Sequence, residues 1–327
     1  MLRPVRRKRR AVPLAVLAIL IAANACLIAL LLRSQSQVAA EPAGQLTIGS
    51  TLPTQPPASS PAQGESASIA PAPSPLSTPA ADQSVALPTR LLVATSATNA
   101  WRATVGDCQT QGRLEQSANG GRSWRQAVKP AIGPIVQLGV ESNGNLYAVG
   151  GARADCSIHY ISYSPDGAIA GQTDKPQGIW LRDPNDEDQI QGPGSARATP
   201  CKGQHVLGLA SLSARQALII CMDGSVMVTS DSGRSWKGAD RIVGAMAVGA
   251  GGGRFWVAGR GENCDGIAIR SFLLSAVKLS AGGTLCVEDL PVSPGQVAIA
   301  VSGKTIWLWA GNNVHVSTDR GRTWEAR

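Results

Sequence analysis

The sequence is poor in the residues from which metal and acid–base sites are built. It has three histidines, and no C-x-x-C pair or Cys/His cluster has the spacing of a zinc site. We therefore expect no metal and no cofactor. His159, His205 and His315 are scattered, and we expect them to be structural.

A large basic surface is also missing. The net charge is +8, but residues 90–327 contribute 23 basic and 19 acidic residues, a net of +4. This part is too weakly basic to indicate nucleic-acid binding. The surplus lies at the N-terminus, where residues 1–10 include R-R-K-R-R.

Ala11 to Leu32 is an uncharged apolar run of 22 residues, close to the ~20 residues needed to cross a bilayer. The basic cluster at 1–10 predicts that this end stays in the cytoplasm. We expect a single-pass signal anchor in the cell membrane with the C-terminal part extracytoplasmic. A cleavable signal peptide is the alternative, since Val38-Ala39-Ala40 offers small residues for cleavage.

Residues 33–88 are dominated by Pro, Ala, Ser, Thr and Gln and have no periodicity. Such a composition cannot bury enough apolar surface to fold, so it predicts a disordered linker. A folded domain is expected over 89–327.

No stretch after the apolar run shows a convincing helical period, which excludes an α-rich domain. Short apolar runs bounded by Gly, Asn and Ser are typical of strands. Five segments repeat one scheme of such runs, about 48 residues apart. Their openings are Leu91–Ser96, Ile135–Val140, His205–Ala210, Ala245–Ala250 and Gln296–Val301.

Three octads share the pattern S/T-x-D/N-x-G-R-S/T-W. A short Asp or Asn accepts hydrogen bonds from nearby backbone N–H groups, Gly adopts positive φ, and Trp brings a large apolar surface beside the turn. The residues that define them are Ser117, Asn119, Gly121 and Trp124; Thr229, Asp231, Gly233 and Trp236; and Ser317, Asp319, Gly321 and Trp324.

This pattern resembles the Asp-box, or BNR repeat, of sialidase-like β-propellers, and is similar to that of the non-catalytic photosystem II assembly factor-like and sortilin-type propellers. The resemblance implies an all-β propeller of about five four-stranded blades, with each octad a structural latch between the third and fourth strands. Ser164–Ala168 is a decayed copy, and Ser280–Gly283 marks a fourth unit without an octad.

The interval Gly171–Gly203 is too long for the repeat and is interpreted as an insertion. It contains D-P-N-D-E-D, in which Asp183, Asn185 and Glu187 mimic the start of a calcium loop. Asp188 replaces the glycine such a loop requires, so a solvated loop is favoured.

Six cysteines follow the apolar run, and an even count in an exported domain suggests disulfides. Six cysteines allow 15 pairings, so spacing alone does not decide among them, and some could be buried free thiols. The preferred local pairs are Cys201–Cys221 and Cys264–Cys286, with Cys108 and Cys156 left over.

A sialidase needs three arginines, a Tyr/Glu nucleophile pair and an acidic Asp. This chain has three tyrosines and no Arg-Ile-Pro signature, and no acidic pair outside the insertion is placed for glycoside hydrolysis. We expect no catalytic residue, and a monomer that binds a protein or glycan as a recognition or assembly module. An exported glycan-processing hydrolase and a structural cell-envelope spacer are the alternatives.

Overall fold

The computed structural model describes residues 86–127, 132–152, 155–174, 176–290 and 293–327. They belong to one compact unit, Leu76–Arg327. The described residues form an all-β propeller of six blades rather than the expected five. No helix among them is long and apolar enough to cross a membrane. The predictions for residues 1–10 and 11–32, and almost all of the predicted linker, lie outside the described residues.

Five blades are antiparallel sheets of four strands that follow one another in sequence order. Blade 1 consists of β1 (Arg90–Ala94), β2 (Ala100–Thr104), β3 (Arg113–Ser117) and β4 (Arg125–Gln126). Blade 2 consists of β5 (Ile132–Val140), β6 (Leu146–Ala152), β7 (Ile158–Tyr163) and β8 (Ile169–Thr173).

The last three blades repeat this order. Blade 4 consists of β12 (Val206–Ser211), β13 (Ala217–Cys221), β14 (Ser225–Thr229) and β15 (Lys237–Arg241). Blade 5 consists of β16 (Ala245–Gly251), β17 (Arg254–Gly261), β18 (Cys264–Ser275) and β19 (Lys278–Glu288). Blade 6 consists of β20 (Val297–Ser302), β21 (Thr305–Ala310), β22 (Asn313–Ser317) and β23 (Glu325–Ala326).

Blade 3 is the one that the sequence scheme missed. It occupies the interval interpreted as an insertion and has three strands of two residues each: β9 (Leu181–Arg182), β10 (Ile190–Gln191) and β11 (Arg197–Ala198). Such short strands leave no alternating apolar run in the sequence. The segment is held instead by Trp180 and Ile190, which are almost fully buried.

The buried apolar residues of the described ranges form six clusters, one between each pair of neighbouring blades. Phe255 and Val228 pack between blades 4 and 5, and Leu308 and Ile269 pack between blades 5 and 6. The interface that joins the last blade to the first contains Trp307, which is fully buried. The ring is thus closed by the same kind of packing as its other interfaces.

The two ends of the ring carry different connections. One end holds the links between successive blades and the turns between second and third strands, and we call it the loop face. The opposite end holds the turns between first and second and between third and fourth strands, and we call it the turn face. All three octads lie on the turn face.

The innermost strand of blade 3 runs in the direction opposite to the innermost strands of the other blades. The Nε1 of Trp180, just before β9, donates to the carbonyl of Ser213 on the turn face, 2.9 Å away. After β9 the chain reaches the loop face, where Asp188 contacts Val206. Strand β9 therefore runs from the turn face to the loop face, whereas the innermost strands of the other blades run from the loop face to the turn face.

Candidate binding face

The central channel is lined by the innermost strand of every blade. Its part nearer the loop face has a volume of about 80 Å³, and its part nearer the turn face about 340 Å³. Most of the lining is apolar or small. Among the described residues, its ionisable side chains are Arg90 and Arg182 toward the loop face and Tyr147 toward the turn face.

Arg182 is a buried cation whose donors are used within the protein. Its Nη2 donates to the carbonyl of Val206 at 2.6 Å and forms an ion pair with Glu187 at 3.0 Å. Burial lowers the pKa of Arg182, although Glu187 and Asp188 oppose that shift. Arg182 thus joins blade 3 to blade 4 and leaves little of its charge for a ligand.

Arg90 is also engaged by protein groups. Its guanidinium donates to the carbonyls of Gln296 and Gly311 in the last blade and lies 4.7 Å from the ring centre of Trp309. Burial lowers the pKa of Arg90, and nearby Arg102 lowers it further. Its contacts stabilise the junction of first and last blades.

Gln137 connects blade 2 to blade 3 at the channel wall. Its Nε2 donates to the carbonyl of Trp180 at 2.7 Å, and its Oε1 accepts from the backbone N–H of Arg182 at 2.9 Å. The Nε2 also lies 3.3 Å from the hydroxyl of Tyr147. Burial raises the pKa of Tyr147 to about 12, so this phenol stays protonated at neutral pH.

A Tyr/Glu pair that the sequence analysis did not identify lies in blade 2. The hydroxyl of Tyr160 donates to Glu141, and the rings of Tyr160 and Tyr147 stack with centres 5.6 Å apart. Burial and Glu141 both raise the pKa of Tyr160, the opposite of what a nucleophilic phenol needs. No arginine of the described residues lines the neighbouring part of the channel, so the pair lacks the three arginines of a sialidase site.

Each octad forms one hydrogen-bonded turn between the third and fourth strands of its blade. In blade 6 the hydroxyl of Ser317 accepts from the backbone N–H of Gly321 at 2.7 Å, and Asp319 accepts from the backbone N–H and hydroxyl of Thr323 at 3.0 and 2.7 Å. Thr229 and Asp231 accept the same bonds from Gly233 and Ser235 in blade 4. In blade 1, Ser117 and Asn119 Oδ1 accept from the backbone N–H groups of Gly121 and Ser123, but Asn119 Nδ2 donates to the Ser123 hydroxyl.

The octads also fasten each blade to the one before it in the ring. The three octad glycines have φ between 83° and 87°, and each lies against a side chain of the preceding blade. Gly121 faces Trp307, Gly233 faces Trp180, and Gly321 faces Leu285. Trp124, Trp236 and Trp324 pack into the same interfaces.

The two imperfect copies differ in outcome. Ser164–Ala168 forms a tight turn between β7 and β8, with the carbonyl of Pro165 bonded to Gln116 in blade 1. It therefore keeps the octad's position and its contact with the preceding blade. Ser280–Gly283 lies inside β19 rather than at a turn, because the β18–β19 hairpin continues to Ala276 and Val277.

The acidic loop of blade 3 uses its carboxylates for internal contacts. Glu187 pairs with Arg182, and Asp188 accepts from the backbone N–H of Val206 and contacts His205 Nδ1, both at 2.9 Å. Asp188, which replaces the glycine of a calcium loop, thus anchors the loop to blade 4. Across the described ranges no three His, Cys, Asp or Glu side chains are grouped to hold a metal ion.

The three disulfides join Cys108 to Cys156, Cys201 to Cys221, and Cys264 to Cys286. The last two are the local pairs preferred from the sequence, and the first joins the two cysteines left over. The first links the loop of blade 1 to that of blade 2, the second links the blade 3–blade 4 connection to blade 4, and the third lies within blade 5. All six cysteines lie at the loop face.

No family model and no curated protein matches the chain. Among solved structures it is similar to "YCF48 bound to D1 peptide", with 13% identity, TM-score 0.37, and coverage of 73% of this chain and 81% of the other. It is also similar to a putative 6-phosphogluconolactonase from Bacteroides fragilis, with 12% identity, TM-score 0.40, and coverage of 74% of this chain and 83% of the other. A third similar structure is a functionally unknown protein from Desulfotomaculum acetoxidans, with 12% identity, TM-score 0.44, and coverage of 72% of this chain and 84% of the other. With TM-scores below 0.5, these similarities assign no function to this chain.

Proposed function

We propose that this chain is a membrane-anchored, extracytoplasmic propeller of the Asp-box type that binds a protein partner through its loop face without catalysis. The observation that carries the proposal is the concentration of all six paired cysteines at that face. Loops on a rigid scaffold are the usual place for recognition, and cross-links reduce the ordering cost of binding.

The chemistry of the channel supports a non-catalytic role. Both of its arginines are engaged by protein groups, and its tyrosine is held protonated by burial. The Glu141–Tyr160 pair has its proton stabilised on the phenol. An acyl or glycosyl transfer site needs a titratable group poised near neutral pH, and neither feature supplies one.

A photo-crosslinking amino acid at one position on each face tests the proposal. Val243 is 68% exposed on the loop face, and Lys304 is exposed in a turn on the turn face. Expressed in the native membrane, the full chain should give a discrete protein adduct from position 243 and none from position 304. Adducts from position 304 alone would show that the partner binds the turn face. Turnover of any member of a panel of fluorogenic glycosides would show that the protein is a hydrolase and contradict a purely binding function.

The membrane topology is tested separately by adding protease to intact cells. The predicted anchor over 11–32 and linker over 33–88 place the propeller outside the cytoplasm, so cleavage in the linker should release it without lysis. Protection of the propeller until lysis would contradict this orientation.

A further inference from the structure

A pocket of about 850 Å³ opens on the loop face between blades 4 and 5. Two of the residues in its blade 5 wall are small. Gly261 and Ala268 lie together, and a Cβ on Gly261 would come within 2.6 Å of the Ala268 Cβ.

Three arginines line this pocket: Arg241 at the end of β15, Arg260 in β17 and Arg270 in β18. Arg241 Nε donates to the carbonyl of Asp223, and Arg270 Nη2 to the carbonyl of Arg260, both at 3.1 Å. Each guanidinium has five N–H donors, so most donors remain available. None of the three forms an ion pair with a carboxylate of the described residues.

The lining contains one described acidic residue, Glu262, so cationic groups dominate the pocket. Guanidinium groups bind carboxylates through paired, charge-assisted hydrogen bonds. Hydrogen bonds from Ser225 lower the pKa of nearby Asp223, and the charge of Arg241 lowers it further. The pocket is therefore suited to an anionic group from outside the described residues.

Strand β19 forms one wall and has an open edge. It is 11 residues long, whereas the outermost strands of the other blades have two to five. No described residue outside β18 makes a backbone hydrogen bond to Lys278–Val287. The strand has no proline and carries charge only at Lys278 and Glu288, so it lacks the usual protection of an exposed edge.

The pairing of β18 with β19 places Arg270 and alternate residues of β19 on the same face of blade 5. Arg270 is directly opposite Thr284, and Ala268 is opposite Cys286. A further strand paired with β19 would direct the side chains beside Thr284 and Cys286 toward the pocket, because alternate residues share a face. Two carboxylates at positions i and i+2 of that strand would both reach the guanidinium groups.

We propose that this pocket binds an extended acidic segment of a partner protein, which adds a strand to β19 and places alternate carboxylates among Arg241, Arg260 and Arg270. The β-pairing supplies affinity and the arginines supply specificity. This inference rests on the proposed function and names the class of its partner.

Fluorescence anisotropy with the purified full chain tests it. The probe is a labelled peptide Thr-Val-Glu-Val-Glu-Val-Thr, and the matched probe has Gln for both Glu. The Glu peptide should bind at least about tenfold more tightly than the Gln peptide. Arg260→Gln and Arg270→Gln should each lower the affinity for the Glu peptide about tenfold. Added salt should also lower this affinity. N-methylation of alternate amides on one edge should abolish binding, because it removes the donors that pair with β19.

Arg122→Gln is the control variant, since Arg122 is an exposed arginine on the turn face. Equal binding of the two peptides, an equal loss with Arg122→Gln, or inorganic phosphate binding as tightly as the peptide would overturn the proposal. Tighter peptide binding after Glu41, Glu65 and Asp82 are changed to Gln or Asn would also overturn it, because the chain's own N-terminal region would then be the occupant.

The test separates this inference from the function on which it rests. If the crosslinked partner is still captured by a chain carrying all three arginine-to-glutamine substitutions, the acidic-segment inference fails and the binding role remains. If no adduct forms at position 243 although the Glu peptide binds selectively, the pocket is supported and the proposed partner is not.

Discussion

The two faces of the ring are built from different parts, and the difference separates stability from recognition. The turn face is held by short-range hydrogen bonds within each octad, as between Ser317 and Gly321, and by an octad tryptophan against the preceding blade. The loop face is held by disulfides and contains the arginine pocket between blades 4 and 5. Repeated turns leave little room for variation, whereas cross-linked loops can differ from blade to blade.

The largest expected effect comes from the disulfide that lines the pocket. Replacing both Cys264 and Cys286 by Ala should lower the free energy of unfolding by about 3 kcal/mol, because the bond closes a loop of 22 residues. It should also weaken the Glu peptide, since both cysteines line the pocket. Urea unfolding followed by tryptophan fluorescence and the anisotropy assay measure the two effects.

The matched control is replacement of both Cys108 and Cys156 by Ala. This disulfide lies on the same face but joins blades 1 and 2, away from the pocket. It should reduce stability by a similar amount and leave peptide affinity unchanged. Equal loss of affinity in both double variants would show that the loop face acts as one body rather than as separate sites.

On the turn face, Gly321→Ala should reduce stability and leave binding unchanged. Gly321 has φ +87°, and a Cβ there would lie 2.2 Å from Leu285 Cδ1. Left-handed strain and overpacking together should cost about 2–3 kcal/mol. Gly120→Ala is the control, since Gly120 has φ +75° with nothing within 4 Å of its Cβ, and should cost about 1 kcal/mol. An equal loss of stability in Gly321→Ala and Gly120→Ala would show that the contact between Gly321 and Leu285 does not stabilise the interface between blades.

The sequence pattern predicted the five regular blades because each opens with an apolar strand. The expected opening Ala245–Ala250 lies within β16, and Gln296–Val301 lies almost wholly within β20. Blade 3 could not be found in the same way. Its strands have two residues each, its innermost strand runs in reverse, and its packing depends on single residues such as Trp180.

The candidate sites were harder to predict than the fold. Arg241, Arg260 and Arg270 come from two blades and three strands, and no local spacing links them. Their common pocket depends on small residues in the wall between blades, which is a property of packing rather than of any motif. The octads, by contrast, are local in sequence, so their turns could be predicted from eight residues.

The smallest expected effect is a difference between the octads in how their contribution to stability depends on pH. Hydrogen bonds from Ser235 lower the pKa of Asp231 to about 2, and those from Thr323 lower the pKa of Asp319 to about 2. Because these folded-state values lie below the ordinary value of about 3.9, the two carboxylates contribute stability above about pH 4 and lose it as pH falls toward 2. Asn119 holds the same place in blade 1 and does not titrate.

Changing both Asp231 and Asp319 to Asn should therefore flatten the loss of stability between about pH 4 and pH 2, measured by urea unfolding at each pH. Asp265→Asn is the control, because Asp265 is exposed on the loop face and its carboxylate makes no hydrogen bond to a described side chain. An unchanged acid profile in the double variant would mean that the octad carboxylates are no more stable ionised in the folded chain than in the unfolded one. The turn face would then owe its stability to the glycine and tryptophan contacts alone.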